Sequence, residues 1–558
     1  MKKVINYCLI IFLVVAITAC SAATTIEKPD NQVKKTDAPV SEGLSTTQQA
    51  TQEDKVINLM MFSAPDTFNP YFSKGNYGKY AGGELVLNSL FEYNPDWELI
   101  PSLATDYSIS DDGKEYIFFL QKDVNWHDGK PFTVRDVVFT FKSIMDPGWS
   151  GTGYVSLKSI IGAEDYKAGL SQDVPGLEIV DDYTLKIKLE NPYSPFIEGV
   201  GIGLWILPEH AFDGINASDM ASAPFSTAPI GTGPMIFVDY VQDQYVEYDT
   251  NPTYFLGAPK FDKLILKVVA ADIALAALEK GEIDASTRVG MGTVNVSDYE
   301  KVKEMNNLNV TTFKTSSYQE LVVNVTKPYL SVKVRQALSY AIDRDSIVSQ
   351  LLQGIGTRAI GPISETSPWY NQSLPRYDYD PDRAIELLKE AGWDPSQVIT
   401  LMVPKGNIVR ERSAPILQQF FKEVGIEVQL QFTDFPTLMA AAEALEYDLA
   451  LVGSSTGMLD PDANLYPFLH SSQLRPTGWN LTGWADPETD ELLDAGAVET
   501  DPVKRKEIYD QVQYRVVDQL PIIYLYYEQS VGTTSKRLKN AIPNEIGIEW
   551  NIQEWEIE

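Results

Sequence analysis

Short apolar runs bounded by turn residues dominate the first half of the chain. They predict β-strands at residues 55–62, 183–189, 235–240 and 264–269. Helical patterns are fewer there. One is predicted near residues 84–90, and an Ala/Leu run capped by Asp272 predicts another that ends at Gly281, with a strand following at 282–285. Strands that alternate with helices in this way favour an α/β fold.

The second half of the chain repeats this alternation with longer helical patterns. Predicted strands occupy residues 320–325, 427–432, 447–452 and 521–527. Predicted helices occupy residues 332–342, 345–354, 383–391 and 414–424. The last two helices are followed by Gly392 and Gly425, and glycine commonly ends helices because it accepts a positive φ. The whole chain is therefore predicted to be α/β.

Residues 126–141 combine three local signals in a short space. Asp128-Gly129 is a turn signal, because glycine adopts a positive φ without steric cost. Thr133 and Asp136 have the spacing of a capping box, in which two side chains satisfy free backbone N–H groups at a helix start. The apolar residues that follow at helical spacing are Val137, Phe141 and Ile144. The segment predicts a turn and a capped, core-facing helix behind an apolar strand at 116–121.

The composition indicates a large, acidic globular protein. A chain of 558 residues, 44% of them hydrophobic, is long enough for several domains with substantial cores. Lys and Arg number 45 against 77 Asp and Glu, which gives a net charge of -32. Because nucleic-acid binders need a basic face, this balance excludes that class of partner. It also argues against adsorption to anionic lipid, and it leaves a cationic ligand open.

The N-terminal segment has the features of a bacterial lipoprotein signal. Two lysines precede an apolar run at 8–16 that is too short to span a bilayer. The run ends at Ile-Thr-Ala-Cys20, which resembles a lipobox, so Cys20 is predicted to be acylated after removal of residues 1–19. A plain secretory cleavage site is the alternative. Residues 20–54 are predicted to form a flexible tether, and no other apolar stretch is long enough to cross a membrane.

A G-x-S-x-G pattern at 453–457 supports an alternative interpretation as a serine hydrolase with Ser455 as its nucleophile. A nucleophile elbow runs directly into a helix, but Asp460-Pro461 interrupts this segment within a few residues. The histidines of the chain are His127, His210 and His470. Only the last follows the serine, and it lies too near in sequence for a typical triad. The chain is therefore predicted to have no catalytic activity.

No metal site and no cofactor is predicted. Asp460, Asp462 and Asn464 have the spacing that opens a calcium loop. Leu465 and Ser471, however, stand where that loop needs glycine and glutamate. Both cysteines lie at or before residue 20, so a mature chain would have neither a disulfide nor a set of cysteine ligands.

Several sequence segments carry a family resemblance through their order along the chain. They lie at residues 126–141, 230–234, 277–284, 334–343, 387–393 and 520–524. In that order, and together with the lipobox-like signal, they resemble the family 5 extracellular solute-binding proteins. These are receptors of peptide, nickel and some oligosaccharide ABC importers. The resemblance covers residues 55–535 and implies a two-lobed, periplasmic-binding-protein-like α/β fold of type II, the large peptide-binding-protein class.

The resemblance also implies how the chain divides. Lobe one would comprise residues 55–318 plus 526–558, with an inserted subdomain at about 88–230, and lobe two residues 319–525. Two crossover segments, near 319–324 and 522–527, would act as hinges. A ligand in the cleft between the lobes would favour the closed state and shift the population toward it.

The implied ligand-binding residues come from both lobes. They are Tyr71, Asn76, Tyr77, Tyr154, Trp369, Phe435, Ser454, Ser455, Thr456 and Gly457, and further loop aromatics expected to face solvent include Trp479 and Trp484. The Gly-Trp-x-x-Asp segment of peptide binders, whose aspartate pairs with the ligand's α-ammonium, falls on 453–457. Here its tryptophan is Ser454 and its aspartate is Gly457, so this contact is missing. Whether Asp460 or Asp462 replaces it stays open.

The function implied is that of a substrate-binding lipoprotein without catalytic activity. It would capture a peptide, an oligopeptide or dipeptide, and deliver it to an ABC permease and ATPase complex. It would work as a monomer, anchored by lipid outside the cytoplasm on the periplasmic face or outer surface of the cell membrane. The alternatives are a receptor for an oligosaccharide or other non-peptide solute, a serine hydrolase, and a surface scaffold or sensor that binds a protein partner.

Overall fold

The computed structural model describes residues 54–455, 459–476 and 478–558, without the side chain of Ser455. The predicted signal 1–19, the acylation site Cys20 and the tether as far as residue 53 lie outside the described residues, as do Thr456 and Gly457. Within the described part, no helix is both long and apolar enough to cross a membrane.

The strands fall into an early and a late group. The early strands are β1 (Val56–Met61), β2 (Phe91–Tyr93), β3 (Leu99–Pro101), β4 (Ala104–Ile109), β5 (Glu115–Leu120), β6 (Leu177–Asp181), β7 (Thr184–Lys188), β8 (Met235–Val241), β9 (Tyr245–Thr250) and β10 (Lys263–Val268). The late strands are β11 (Leu308–Val323), β12 (Gly356–Arg358), β13 (Val398–Pro404), β14 (Glu427–Thr433), β15 (Leu449–Ser455), β16 (Ile522–Ser535), β17 (Leu538–Lys539) and β18 (Glu556–Ile557).

The helices are short in the first half and longer in the second. The α-helices are α1 (Asn76–Gly78), α2 (Val134–Met145), α3 (Tyr154–Leu157), α4 (Ala163–Lys167), α5 (Phe196–Gly201), α6 (Ala274–Glu279), α7 (Tyr299–Lys303), α8 (Val332–Tyr340), α9 (Arg344–Ser346), α10 (Pro381–Ala391), α11 (Ile408–Glu423), α12 (Phe435–Glu443), α13 (Pro461–Leu469), α14 (Pro487–Val498) and α15 (Pro502–Gln519). The π-helical segments are Lys79–Glu84 and Ile347–Leu351, and the 3₁₀ segments are Glu209–Phe212, Ala217–Ser222, Pro224–Ser226, Val296–Asp298, Ser471–Gln473 and Ile548–Glu554.

Two four-stranded sheets organise the first half of the chain. One has the order β1-β10-β9-β8, in which β1 and β10 run parallel and the other neighbours run antiparallel. The other is antiparallel throughout, with the order β4-β5-β7-β6. The second sheet packs with α2 on a separate core that includes Phe118, Phe141 and Leu185. Most residues of this core fall between 88 and 230, and Tyr71 and Leu87 also belong to it.

A six-stranded sheet with the order β12-β16-β11-β15-β13-β14 organises the second half. Strand β13 runs parallel to both of its neighbours, β15 and β14. The chain passes from β13 to β14 through helix α11, since parallel neighbours need a crossover connection. The same helix and α10 cover one face, where Leu321, Leu401 and Leu451 are fully buried. Helix α12 packs on the opposite face against Val322, Met402 and Ala450. This second face carries the candidate site.

Strands β11 and β16 connect the two halves of the structure. Residues 308–314 of β11 pair with 535–529 of β16, and after an irregularity between Lys314 and Tyr318 the pairing resumes toward Val322 and Ile522. At the end of the β11–β16 pair near Thr534, Ala285 forms one β-bridge with Thr534 of β16 and another with Leu59 of β1. These bridges join β11 and β16 to the sheet that contains β1. The predicted crossover segments lie in these two strands, on the six-stranded side of the irregularity.

The capped helix predicted from residues 126–141 is confirmed. Gly129 has φ of 85° in the turn. The hydroxyl of Thr133 accepts from the N–H of Arg135 at 3.3 Å, and the Asp136 carboxylate accepts from the N–H of Thr133 at 2.9 Å, which completes a capping box on α2. His127 in the same segment contacts the second family segment, accepting from the N–H of Gly231 at 3.2 Å.

The helix predicted near 84–90 is wrong, because tertiary backbone pairing takes its place. The carbonyl of Val86 accepts from the N–H of Gly233 at 2.8 Å, and that of Leu85 accepts from the N–H of Met235 at 3.1 Å. A Cβ atom at Gly231 would lie 1.6 Å from the Val86 oxygen, so only glycine allows this approach. The π-helical segment Lys79–Glu84 ends before this stretch.

Two smaller predictions next to β10 also fail. Helix α6 begins at Ala274 without a side-chain cap, so Asp272 does not cap it. Residues 282–285 do not form a strand, because only Ala285 makes a bridge. The other predicted strands are confirmed at shifted ends, as are the helices near 332–342, 383–391 and 414–424.

We predict that Asp136→Ala destabilises the protein by about 1–2 kcal/mol, because the variant leaves two partly buried N–H groups without acceptors. Those groups belong to Thr133 and Glu209, the second at 3.0 Å from the carboxylate. Urea unfolding measures the change. Thr133→Ser keeps a capping hydroxyl and serves as the control, within about 0.5 kcal/mol of the unchanged protein. Equal stability of both variants would contradict the capping role.

Candidate functional site

A cavity of about 300 Å³ lies on the α12 side of the six-stranded sheet. Its walls are largely apolar and include Val322, Phe435, Met439, Val452, Trp479 and Leu481. Two of these aromatics keep much of their surface in solvent, with Phe435 46% and Trp479 49% exposed. Large exposed aromatic rings around a concave apolar surface are typical of ligand pockets.

Among the described residues, Glu320 is the one carboxylate that lines this cavity. It lies near the C-terminal end of β11, opposite Val452 of β15 and Tyr524 of β16, and is 3% exposed. The hydroxyl of Ser454 donates to its Oε1 atom at 2.7 Å. Its Oε2 atom is buried and has no hydrogen-bond partner among the described residues. A buried carboxylate oxygen without a partner is rare in folded proteins and calls for a reason.

Burial raises the pKa of Glu320 to about 7, against a smaller opposing effect of the Ser454 hydrogen bond and of Arg410. The guanidinium of Arg410 is directed elsewhere, since its Nε donates to the side-chain oxygen of Gln319 at 2.9 Å. Gln319 in turn donates to Glu528 at 3.0 Å. The Glu320 carboxylate is therefore close to half ionised near neutral pH, without a cation bonded to it in the described residues.

Helix α12 positions Phe435 at the cavity. Asp434 caps the helix by accepting from the N–H of Thr437 at 2.8 Å, so Phe435 is its first residue. Leu438 and Ala442 bury the inner face of the helix against the sheet. The ring of Phe435 thereby stands at the rim, where a ligand entering the cavity would meet it.

Asp460 and Asp462 are both engaged inside the protein. Arg505 donates to both oxygens of Asp460, at 2.7 and 2.9 Å, in a buried bidentate pair. Tyr509 donates to Asp462 at 2.9 Å, and burial raises the pKa of Asp462 to about 6. Both oxygens of Asp460 accept from Arg505 and the residue is 8% exposed, so its carboxylate is already held in a strong contact within the protein.

Glu198 connects the early and late parts of the chain next to this loop. Its carboxylate accepts from the N–H of Leu459 at 2.6 Å and from that of Asp460 at 2.7 Å, at the start of α13. The hydroxyl of Tyr93 also donates to it. Ser194 makes a second connection, donating its N–H to the carbonyl of Ala497 at 2.9 Å. The two halves are therefore in contact around the segment that follows β15.

The predicted site residues are only partly brought together. Phe435 and Ser454 line the same cavity, and Ser455 ends the same strand, β15. Trp369 instead packs beneath the Arg505 guanidinium, whose carbon lies 5.2 Å from its ring centroid. Tyr154 lies at the start of α3 with Lys167 above its ring.

Asn76, Tyr77 and Tyr71 share one segment of the first half. Asn76 is exposed and Tyr77 half-buried. The expectation that Tyr71 faces solvent is wrong: it is 2% exposed and donates to the carbonyl of Trp205 at 2.5 Å. Trp484 is likewise buried, at 5% exposure, so its assignment to a solvent-facing loop is also wrong. Apolar packing on neighbouring elements explains both.

The histidines have other partners than the G-x-S-x-G segment. His127 bonds the backbone at Gly231 and Gly233, His210 bonds Asp128, and His470 bonds Ser472. Burial lowers the pKa of His127 to about 4. Asp460 begins α13 with a side-chain cap, so the acidic residues 460 and 462 belong to a helix start and not to a calcium loop. In the residues that the structure describes, no group of three potential metal ligands occurs.

Sequence reasoning missed Glu320, the charged residue of the cavity. The sequence feature that could have identified Glu320 is a carboxylate within the apolar strand pattern Glu-Leu-Val-Val, since an ordinary buried strand contains no charged residue. The pairing partners that bury it lie more than a hundred residues away, in β15 and β16.

A two-lobed α/β protein with such a cavity in its second half has the architecture of a solute receptor. The chain belongs to the bacterial extracellular solute-binding proteins, family 5, whose model matches residues 98–475. It is 30% identical to the oligopeptide-binding protein AppA of Bacillus subtilis over 81% of this chain and 83% of that protein. It is 28% identical to the dipeptide-binding protein of Escherichia coli over 90% and 95%. The structure of Bacillus subtilis AppA in complex with a nonapeptide superposes with a TM-score of 0.72 at 27% identity, covering 90% of this chain and 99% of that one.

We predict that Glu320→Gln stabilises the protein at high pH and not at low pH. The folded state holds the Glu320 proton up to about pH 7, whereas the usual pKa is 4.5, so the native protein loses stability as pH rises between these values. Glutamine has no proton to lose. At about 1.4 kcal/mol per pKa unit, the variant gains about 3 kcal/mol between pH 4 and pH 8.

Urea unfolding of the variant and the unchanged protein at both pH values measures this difference. Glu427→Gln, at an exposed residue that begins β14, is the matched control. An identical pH dependence for both variants would contradict the burial of an uncompensated carboxylate at 320.

Proposed function

We propose that the protein is the substrate-binding lipoprotein of an ABC importer and that its cargo is a peptide. The observation that carries the proposal is the largely apolar cavity beside Glu320, lined by residues of the second half of a chain that belongs to the family 5 solute-binding proteins. Relatives along nearly the whole chain are an oligopeptide-binding and a dipeptide-binding protein, which supports peptide as the cargo class.

The cargo would lie between lobe one, residues 55–318 plus 526–558, and lobe two, residues 319–525. Strands β11 and β16 run through both, so flexing at the irregularity near Lys314 would change the angle between the lobes. The contacts of Glu198 with the N–H groups of Leu459 and Asp460 stabilise a closed arrangement. A peptide would be held between the lobes and released to the transporter when they separate.

The chemistry of the cavity favours peptide over oligosaccharide. Its lining offers one carboxylate and few other polar side chains, of which Ser454 already donates to Glu320. A sugar presents hydroxyl groups on all sides, and each would need a partner when buried. A peptide side chain or terminus combines an apolar body with one or two polar groups, which matches these walls.

Delivery and location follow from the same proposal. The protein would hand its cargo to an ABC permease and ATPase complex as a monomer. Removal of residues 1–19 and acylation of Cys20 would anchor it to the outer face of the cell membrane on the tether 20–54. The proposal includes no catalytic step, because the nearest histidine to Ser455 in sequence, His470, is bonded to Ser472.

We predict that the purified protein carries peptides. Native mass spectrometry should detect peptide masses that leave on denaturation, and a peptide pool should raise the melting temperature of the emptied protein, since a ligand of the folded state stabilises it. A glycan pool at the same concentration is the control. Stabilisation by glycans alone, or no ligand with either pool, would overturn the peptide assignment.

A further inference from the structure

Glu320 lines the cavity, and one of its carboxylate oxygens has no hydrogen-bond partner among the described residues. Glu320 lies 3% exposed between two neighbouring strands, and its Oε2 atom has no partner among the described residues. Among the described residues, no nearby cation bonds to this oxygen. Arg410, the nearest guanidinium that influences Glu320, donates its Nε to Gln319, and no ion pair of Glu320 occurs in the described part of the chain.

The room beside this acceptor follows from the small side chain at 454. Ser454 stands where the resembling peptide-binder segment has tryptophan, and its hydroxyl reaches Glu320 at 2.7 Å. An indole at this position would project into the same space of about 300 Å³. That volume is at the lower limit of small-molecule pockets, so the cavity suits one side chain or one terminus of a larger cargo.

We propose that this cavity is a subsite for a positively charged amine of the cargo, which donates to Glu320 while its carbon body packs on Phe435, Met439 and Trp479. The proposal rests on the proposed function and names the cargo chemistry of that site. It places the amine on Glu320 of β11 and not on residue 457, where the peptide-binder segment has its aspartate and this chain has glycine.

An amine satisfies the site better than a neutral group does. A charge-assisted hydrogen bond between an ammonium and a carboxylate is about twice as strong as a neutral one, and the apolar walls exclude competing water. The walls also cover the carbon chain that carries the amine, which gains free energy by leaving water. The net charge of -32 raises the local concentration of cationic cargo around the protein.

The charge state of Glu320 gives the subsite a pH dependence. The groups that face it are Arg410 from α11, Tyr318 on its own strand, Tyr524 and Tyr527 on β16, and Ser454 on β15. Burial raises the pKa of each of the three tyrosines well above the usual value, so they stay neutral. An ammonium favours the ionised carboxylate, and its affinity therefore rises with pH through the neutral range.

Two parts of a peptide could supply the amine: the N-terminal α-ammonium or a lysine side chain. Calorimetry with three probe peptides of equal length distinguishes them. One has a free N-terminus and no lysine, one has an acetylated N-terminus and one lysine, and one has an acetylated N-terminus with norleucine in place of lysine. A separate pair, 3-phenylpropylamine and 3-phenylpropan-1-ol, tests the subsite without a peptide.

Three variants complete the design. Glu320→Gln removes the charge and keeps the shape. Ser454→Trp fills the cavity. Glu528→Gln changes a half-buried carboxylate on the neighbouring strand β16, which does not line the cavity and accepts from Gln319 instead. Thermal melting confirms that each variant is folded before binding is measured.

We expect at least one free-amine peptide and 3-phenylpropylamine to bind about tenfold more tightly than their blocked or alcohol partners. Glu320→Gln should abolish this preference and its rise between pH 6 and pH 8, Ser454→Trp should abolish binding of the small amine, and Glu528→Gln should change neither. Equal binding of blocked and free probes to the unchanged protein, or an amine preference that survives in Glu320→Gln, would overturn the subsite. If no peptide binds while the small amine still does, the proposed function fails and the subsite stands.

Discussion

The antiparallel pairing of β11 with β16 is the constraint on which the rest of the structure depends. These strands pair on both sides of an irregularity near Lys314, and through Ala285 and Thr534 they also connect to the first sheet. Because both strands cross together, the two halves cannot separate completely and can only change their angle. The position of Glu320, opposite Tyr524 of β16, follows from this pairing.

At Glu320, the stability of the fold and the binding of a ligand favour different residues. In the middle of a six-stranded sheet an apolar residue would pack at no electrostatic cost, whereas a carboxylate with one unpartnered oxygen destabilises the folded state. The Asp460–Arg505 pair shows how this protein buries a carboxylate when the role is structural, with a bidentate partner and a helix cap. The absence of such a partner at 320 is what indicates a ligand.

Local signals were readable from the sequence and long-range ones were not. The capping box of Thr133 and Asp136 lies within four residues, so its chemistry could be predicted and is confirmed. The apolar residues 84–90 have helical character, but pairing with Gly233 from a distant segment overrides it. For the same reason, Phe435 and Ser454 could be named as site residues by resemblance, whereas Glu320 could not, since burial by distant strands gives it its properties.

We infer that cargo is held in the cavity of the second half, with an amine on Glu320. A crystal structure of the protein with its co-purified cargo tests this inference most directly. We expect cargo density in the cavity beside Phe435 and Trp479, with a nitrogen within about 2.7–3.2 Å of Glu320 Oε2. Cargo bound elsewhere, or a cavity that stays filled with water while cargo is present, would contradict it.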